Sequence, residues 1–124
     1  MILVDTSIWI DHLHTSQPDL VRLLDQDAVG CHPAVVEELA LGSIAQRDVV
    51  LALLESLHQF PVLGHAELLT LVSGRRLWGR GLSAVDGHLL GAVALVSGAQ
   101  LWTRDRRLMA ACRDAGVACL DERT

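Results

Sequence analysis

The sequence predicts an α/β domain in which helices pack on a parallel sheet. Short apolar segments alternate along the chain with longer segments of helical periodicity, the order that parallel strands with crossover helices produce. About half of the residues (51%) are hydrophobic, which suffices for a real core in a chain of 124 residues. We therefore expect a single domain over residues 1–124.

The strands are predicted from short apolar runs bounded by polar or turn-forming residues. The expected strands are ILV at 2–4, AVGC at 28–31, a short strand around 61–63, QLWT at 100–103 and VACL at 117–120. The helices are predicted from apolar residues at three- and four-residue spacing. They are expected at residues 6–13, 18–26, 33–41, 49–57, 65–78, 83–97 and 105–116. Pro33 suits the first turn of the third helix, and Gly42 ends it.

Composition excludes several classes of protein. No apolar run approaches the ~18 residues of a membrane-spanning helix, and the N-terminus lacks the pattern of a secretory signal. The three cysteines form no C-x-x-C pair, which favours reduced thiols in a cytoplasmic protein without membrane association. The histidines at 32, 58 and 65 lie in predicted connections and are interpreted as ordinary polar residues.

Charge is distributed unevenly along the chain. The net charge is −5 and there is no lysine, so the whole protein does not resemble a general nucleic-acid binder. Residues 75–107, however, contain six of the ten basic residues and only two acidic ones. Such an arginine-rich surface can bind phosphates bidentately. A solvated face of two helices explains the same arginines.

Two predicted strands are followed by aspartate. Asp5 ends the first strand, and Asp105 follows QLWT with one residue between. In open parallel sheets, sites form beyond the carboxyl ends of strands, so both carboxylates are expected at one edge. Glu38 lies on the helix after the second strand, and Asp86 lies in the first turn of the sixth helix. All four can face the same cleft.

Each of these acidic residues also has a purely structural explanation. Asp5 and Asp105 suit helix N-caps, and Ser83-x-x-Asp86 resembles a capping box. Glu38, like its neighbour, suits an exposed helix face. Phosphoaspartyl enzymes and receiver domains also have an aspartate at the end of their first strand. A receiver domain needs a lysine late in the chain, and this sequence has no lysine.

Taken together, the four acidic residues indicate a site for a hard metal ion. Clustered carboxylates repel one another and have raised pKa values unless a cation compensates them. Mg²⁺ or Mn²⁺ accepts oxygen ligands and keeps water molecules for chemistry.

Four segments, spread over nearly the whole chain, carry a resemblance to a known family. They are MILVDTSIWID at the start, PAVVEELALG at 33–42, GLSAVDGHLLGAV at 81–93 and LWTRDRRL at 101–108. In these segments the chain resembles the PIN-domain family and, within it, the VapC-type toxins of bacterial type II toxin–antitoxin pairs. The resemblance implies a three-layer α/β/α sandwich with a central parallel sheet, dependence on Mg²⁺ or Mn²⁺, and endoribonuclease activity.

The family's motifs also imply roles for individual residues. The pattern E-L-x-x-G selects Glu38 over Glu37, G-L-S-x-x-D selects Asp86, and T-x-D selects Asp105. The implied catalytic residues are Asp5, Glu38, Asp86 and Asp105. Asp5, Asp86 and Asp105 are the implied metal ligands, and Glu38 would bind directly or through water. Ser7 and Thr103 match hydroxyl positions that support the acidic residues.

The arginine-rich stretch RRLWGRG precedes Asp86 and is expected to hold the RNA backbone near the acidic site. Its tryptophan is expected to stack on an unpaired base, although a core tryptophan at a helix end is an equally good explanation. The RNA-binding candidates are Arg75, Arg76, Trp78, Arg80 and Arg106.

The resemblance implies partners as well. VapC-type proteins form homodimers and are held inactive by a cognate VapB-type antitoxin, which itself binds operator DNA. The leucine-rich helices at 18–26 and 47–58 are candidates for the antitoxin or dimer surface, although core packing explains many of these leucines. The alternative function is a non-catalytic PIN protein that acts as partner and co-repressor in a DNA-binding complex.

Overall fold

The structure is a computed structural model that describes residues 1–122. The elements in chain order are β1 (Ile2–Val4), α1 (Thr6–His14), α2 (Pro18–Asp25), β2 (Val29–Cys31), α3 (Pro33–Leu41), α4 (Arg47–Ser56), β3 (His58–Gln59), α5 (His65–Gly74), α6 (Ala84–Ala94), β4 (Gln100–Trp102) and α7 (Arg106–Ala115). The longest of these helices has 11 residues, about half of what a bilayer requires, so no helix within residues 1–122 can cross a membrane.

Within residues 1–122, four strands form one parallel sheet in the order β3-β2-β1-β4. The seven helices of this described part of the chain flank the sheet, which confirms the predicted α/β/α sandwich. The expected last strand is reduced to a single parallel bridge between Leu101 and Cys119, on the outer side of β4. Two backbone hydrogen bonds of 2.9 Å hold this segment, from Leu101 N to Ala118 O and from Leu120 N to Leu101 O.

The strand order places a switch point beside β1. From β1 the chain proceeds outward to β2 and then β3, and it returns to the opposite side of β1 to form β4. Right-handed crossovers in the two directions put helices on opposite faces of the sheet. The loops after β1 and β4 therefore diverge, and they leave a crevice at the carboxyl ends of these two strands.

The core consists of side chains from β1, β2 and β4, including all three of β1, and of the inward faces of the helices. Leu3 and Val4 are fully buried, and the tryptophans at 9 and 102 are the largest buried side chains. Gly30 in β2 is required by packing, because a Cβ at this position would lie 2.4 Å from the Phe60 ring. This close fit seats Phe60 against the sheet.

Three predicted elements have a boundary that was wrong by three residues or more. The strand expected around 61–63 is instead β3 at His58–Gln59, and Pro61 lies beyond it, where its lack of a backbone N–H costs no pairing. The helix expected over 65–78 ends at Gly74, and Arg76 then adopts a left-handed backbone with φ 55°. The helix expected to reach residue 97 ends at Ala94.

Candidate active site

Asp5 lies directly after β1, at the switch point of the sheet. Asp5 is 8% exposed, and its backbone N donates to Trp102 O at 2.9 Å, which fixes it beside the end of β4. Its Oδ1 accepts from Thr6 N at 2.8 Å and so caps α1. The capping explanation is therefore correct, but it uses only one of the two carboxylate oxygens.

Thr103 joins the ends of β1 and β4 through its hydroxyl group. Thr103 is buried, and its Oγ1 donates to Asp5 Oδ2 at 2.7 Å. The same oxygen accepts from Asp105 N at 3.1 Å. One threonine thus connects the carboxylate after β1 to the backbone of the aspartate after β4.

Asp105 is exposed and begins α7. Its Oδ1 accepts from Arg107 N at 2.8 Å and from Leu108 N at 3.1 Å, the pattern of a helix N-cap. Within residues 1–122 its Oδ2 makes no hydrogen bond. Asp105 therefore has one oxygen for the helix and one for a ligand.

Glu38 is joined to the site by a residue that the sequence analysis did not select. Thr6 Oγ1 donates to Glu38 Oε1 at 2.6 Å, linking α1 to α3. Thr6 is buried, whereas Ser7 is exposed and makes no side-chain hydrogen bond within the described residues. The signal was present in the sequence, because Thr6 directly follows the aspartate that ends β1.

Asp86 forms the capping box that its spacing from Ser83 predicts. Asp86 N donates to Ser83 Oγ at 3.1 Å, and Ser83 N donates to Asp86 Oδ2 at 3.0 Å. Asp86 is half-buried and close enough to Asp5 to influence its ionisation. The capping box uses Asp86 Oδ2, and within residues 1–122 Asp86 Oδ1 makes no hydrogen bond.

The pKa of Asp5 depends on the charges of two other carboxylates, Asp86 and Glu38. Burial raises the pKa of Asp5, and the negative charges of Asp86 and Glu38 raise it further. The hydrogen bonds from Thr103 and Thr6 oppose this rise in pKa without cancelling it. No arginine within residues 1–122 forms an ion pair with any of these three carboxylates or with Asp105.

The donor set suits a hard divalent cation in chemistry. All four side chains offer carboxylate oxygens. Asp5 is buried, and its anionic form is destabilised. A bound divalent cation would stabilise this anion. In the described part of the chain no three acidic, histidine or cysteine side chains converge closely enough to hold an ion. The residues therefore fit the metal by the type of their ligand atoms.

Comparison with known proteins agrees with the fold and the motifs. The PIN domain family matches residues 2–114, nearly the whole chain. The chain belongs to the PIN-domain family. It is also 66% identical over 122 residues to "Ribonuclease VapC32" of Mycobacterium tuberculosis, in strain CDC 1551 / Oshkosh and in strain ATCC 25618 / H37Rv. Each alignment covers 98% of both chains, so the likeness extends to the VapC group of PIN domains.

Two arginines of RRLWGRG in this PIN domain are engaged with α7. Arg75 Nη1 donates to Ala115 O, and Arg80 Nη2 lies 2.7 Å from Asp114 Oδ2 in an ion pair. These contacts fasten the loop before α6 to the last turn of α7. Arg75 and Arg80 thus have structural partners in addition to any role towards phosphate.

Trp78 is not a core residue of this PIN domain. It lies outside α5 and is 63% exposed. Together with Leu69, Leu82 and Ser83 it lines an apolar cavity of about 270 Å³ before α6. An exposed tryptophan beside a cavity is available to stack on a planar ligand.

The interpretation of His32 from the sequence was wrong. His32 was taken for an ordinary polar residue in a connection, but it is 1% exposed and caps α3 by accepting from Ala34 N at 3.0 Å. Its ring centroid lies 6.1 Å from that of His88. Burial lowers the pKa of His32, and the neighbouring His88 lowers it further, which favours the neutral form of the buried His32 ring.

Proposed function

We propose that this chain is a Mg²⁺- or Mn²⁺-dependent endoribonuclease that acts as the toxin of a VapBC-type toxin–antitoxin pair. The observation that carries the proposal is Asp5, a buried carboxylate at the switch point of the sheet whose pKa is raised by burial and by two neighbouring acids. The likeness to a protein named Ribonuclease VapC32 supports the same activity.

Asp5, Asp86 and Asp105 would hold the metal, and Glu38 would bind it directly or through water. When bound, the divalent cation lowers the pKa of a water molecule for in-line attack on the scissile phosphate and stabilises the leaving oxygen. Thr103 holds Asp5 Oδ2, and Thr6 holds Glu38 Oε1, so each carboxylate is oriented before substrate arrives. The ends of β1 and β4 form the rigid support.

The chemistry of the products follows from a water nucleophile. Cleavage is expected to leave 5′-phosphate and 3′-hydroxyl ends, because water adds to phosphorus and the 3′ oxygen departs. Incubation of total cellular RNA with the purified protein, in Mg²⁺ or in chelator, followed by sequencing of the new 5′ ends, tests this. Products with 2′,3′-cyclic phosphate ends would contradict the mechanism. Absence of any cut would favour the non-catalytic co-repressor function.

Replacement of Thr103 by Val is expected to lower the cleavage rate about 10–100-fold, the usual cost of losing a group that orients a metal ligand. It is also expected to lower the free energy of unfolding by about 1–3 kcal/mol, because Asp5 Oδ2 is left buried without a donor. Thr103→Ser keeps the hydroxyl group and should restore most of the rate. If Ser and Val variants are equally slow, the hydroxyl group does not orient Asp5.

The proposed partners are RNA as substrate, a VapB-type antitoxin, a second copy of the chain in a homodimer, and operator DNA through the antitoxin. Exposed apolar side chains on α2 and α4 support a protein partner there, since Val21 is 38% exposed, Val49 66% and Leu53 45%. Strong expression of the chain alone should stop growth, and co-expression of the antitoxin should restore it. Unaffected growth with soluble, folded protein would argue against a toxin.

A further inference from the structure

A second cleft lies beside the acidic residues, between α7 and the C-terminal segment 119–122. Its volume is about 510 Å³, and Thr103 forms part of its wall. Because Thr103 also donates to Asp5, the cleft adjoins the acidic site directly. None of the proposed metal ligands lines it.

The wall formed by α7 combines two guanidinium groups with an apolar centre. Arg106, Met109 and Arg113 line the cleft at positions i, i+3 and i+7, which places them on one helix face. Leu120 and Cys119 complete the apolar part from the other wall. The two arginines are separated along α7 by about 10 Å, or roughly three nucleotides of a stacked strand.

The C-terminal wall is fixed in place by Arg104. Arg104 Nε donates to Glu122 Oε1 at 2.8 Å, and Trp102 Nε1 donates to the same oxygen at 2.7 Å. Arg104 also pairs with Asp11 at 2.6 Å. The charges of Arg104 and Glu122 are therefore paired within the protein. These contacts hold the C-terminal wall in position without a ligand.

Arg106 and Arg113 supply the positive charge that remains. Arg106 forms no ion pair within residues 1–122, and Arg113 has only a 4.0 Å contact with Asp114, with 79% of its side chain exposed. Asp121 is the other charged group on the rim. Two accessible guanidinium groups on either side of an apolar floor suit phosphates with a base between them.

We propose that this cleft binds the single-stranded RNA that flanks the scissile phosphate. Arg106 and Arg113 contact backbone phosphates, and a base lies on Met109 and Leu120. The proposal rests on the proposed function, because the strand is assigned to RNA by the cleft's junction with the acidic site at Thr103. It extends the RNA path from Arg106 along α7 to Arg113.

Cys119 provides a built-in probe for this cleft. It is half-buried and lines the cleft, whereas Cys31 and Cys112 are fully buried. A hydrogen bond from Cys112 lowers the pKa of Cys119, which favours its reactive thiolate. In chelator, a short single-stranded RNA at ten times its dissociation constant should slow alkylation of Cys119 by a maleimide about tenfold, measured by mass spectrometry.

Two variants test the phosphate contacts. Arg106→Gln and Arg113→Gln should each reduce the slope of log affinity against log salt concentration by about 0.7, the contribution of one phosphate on a single strand. Arg22→Gln is the matched control, because it removes the same charge from an exposed ion pair on α2. Its slope should equal that of the wild-type protein.

The outcomes separate this proposal from the proposed function. RNA that is bound and cut while Cys119 stays unprotected would overturn the proposal that the cleft binds RNA, and it would support the proposed nuclease activity. RNA that protects Cys119 but is not cut with Mg²⁺ or Mn²⁺ would support RNA binding in the cleft and would contradict the proposed nuclease activity. An equal loss of slope in Arg22→Gln would show diffuse charge attraction and would also overturn the cleft.

Discussion

The Asp5→Asn protein is expected to cleave RNA at least about 10³-fold more slowly than the wild-type protein at saturating Mg²⁺, the scale on which loss of a central catalytic group acts. It is also expected to have an unfolding temperature at pH 7 that is no lower than that of the wild type. The amide can accept the Thr6 N–H and donate to Thr103 Oγ1, so the cap on α1 is kept.

The expected stability follows from the direction of the pKa shift. Since the folded-state pKa of Asp5 is raised, the folded protein binds more protons than the unfolded chain as pH approaches that pKa. The stabilising contribution of protonated Asp5 is present below the unfolded value of about 3.8 and is lost as pH rises through the folded pKa. In chelator, the advantage of Asp5→Asn should therefore be largest at neutral pH and should disappear in acid.

Calorimetric unfolding across this pH range and a cleavage assay, on the same preparations, check the prediction. Asp19→Asn is a suitable control, because it changes an exposed carboxylate that pairs only weakly with Arg22 at 3.4 Å. A large fall in unfolding temperature in Asp5→Asn, with cleavage reduced in proportion, would return Asp5 to the role of a helix cap.

Addition of Mg²⁺ or Mn²⁺ is expected to raise the unfolding temperature of the wild-type protein without RNA present. A cation at 100 times its dissociation constant stabilises the folded state by about 2.7 kcal/mol, or about 10 °C for a domain of this size. The physical reason is relief of repulsion between Asp5, Asp86 and Glu38, which no arginine in residues 1–122 provides.

Variants of single carboxylates are expected to show which side chains bind the cation in this thermal measurement. Asp5→Asn should abolish the metal-induced shift, and Asp105→Asn should reduce it while keeping the N-cap of α7, since asparagine caps helices as well as aspartate does. Asp19→Asn should show the full shift. Equal shifts in all variants would place the cation elsewhere.

The parallel sheet and its acidic edge could be predicted because both depend on local sequence. A three-residue apolar strand is followed directly by Asp5, and a second strand ends three residues before Asp105. Both strands are visible in the sequence without tertiary information. Once the strands are parallel, their carboxyl ends share one edge. The capping box at Ser83 and Asp86 was equally local.

The parts that failed depend on contacts distant in sequence. The link from Thr6 to Glu38 joins residues 32 positions apart, and burial of His32 depends on packing beside His88. The position of β3 depends on Phe60 seating against Gly30. No local pattern around these residues specifies their partners.

Thr103 has one feature that could be predicted from local sequence and one that depends on contacts distant in sequence. Its position two residues before Asp105 marked it as a supporting hydroxyl through the family resemblance. Its double use, donating to Asp5 and accepting from the Asp105 backbone, required the pairing of β1 with β4.

The most direct test of the central claim is the rate of RNA cleavage as a function of Mn²⁺ concentration, measured beside Mn²⁺ binding in the same buffer. If the carboxylates around Asp5 are the cleavage centre, the rate and the binding should saturate together in the wild-type protein, and both should be lost in Asp5→Asn. Cleavage at full rate in excess chelator, or by the Asp5→Asn protein, would contradict the account.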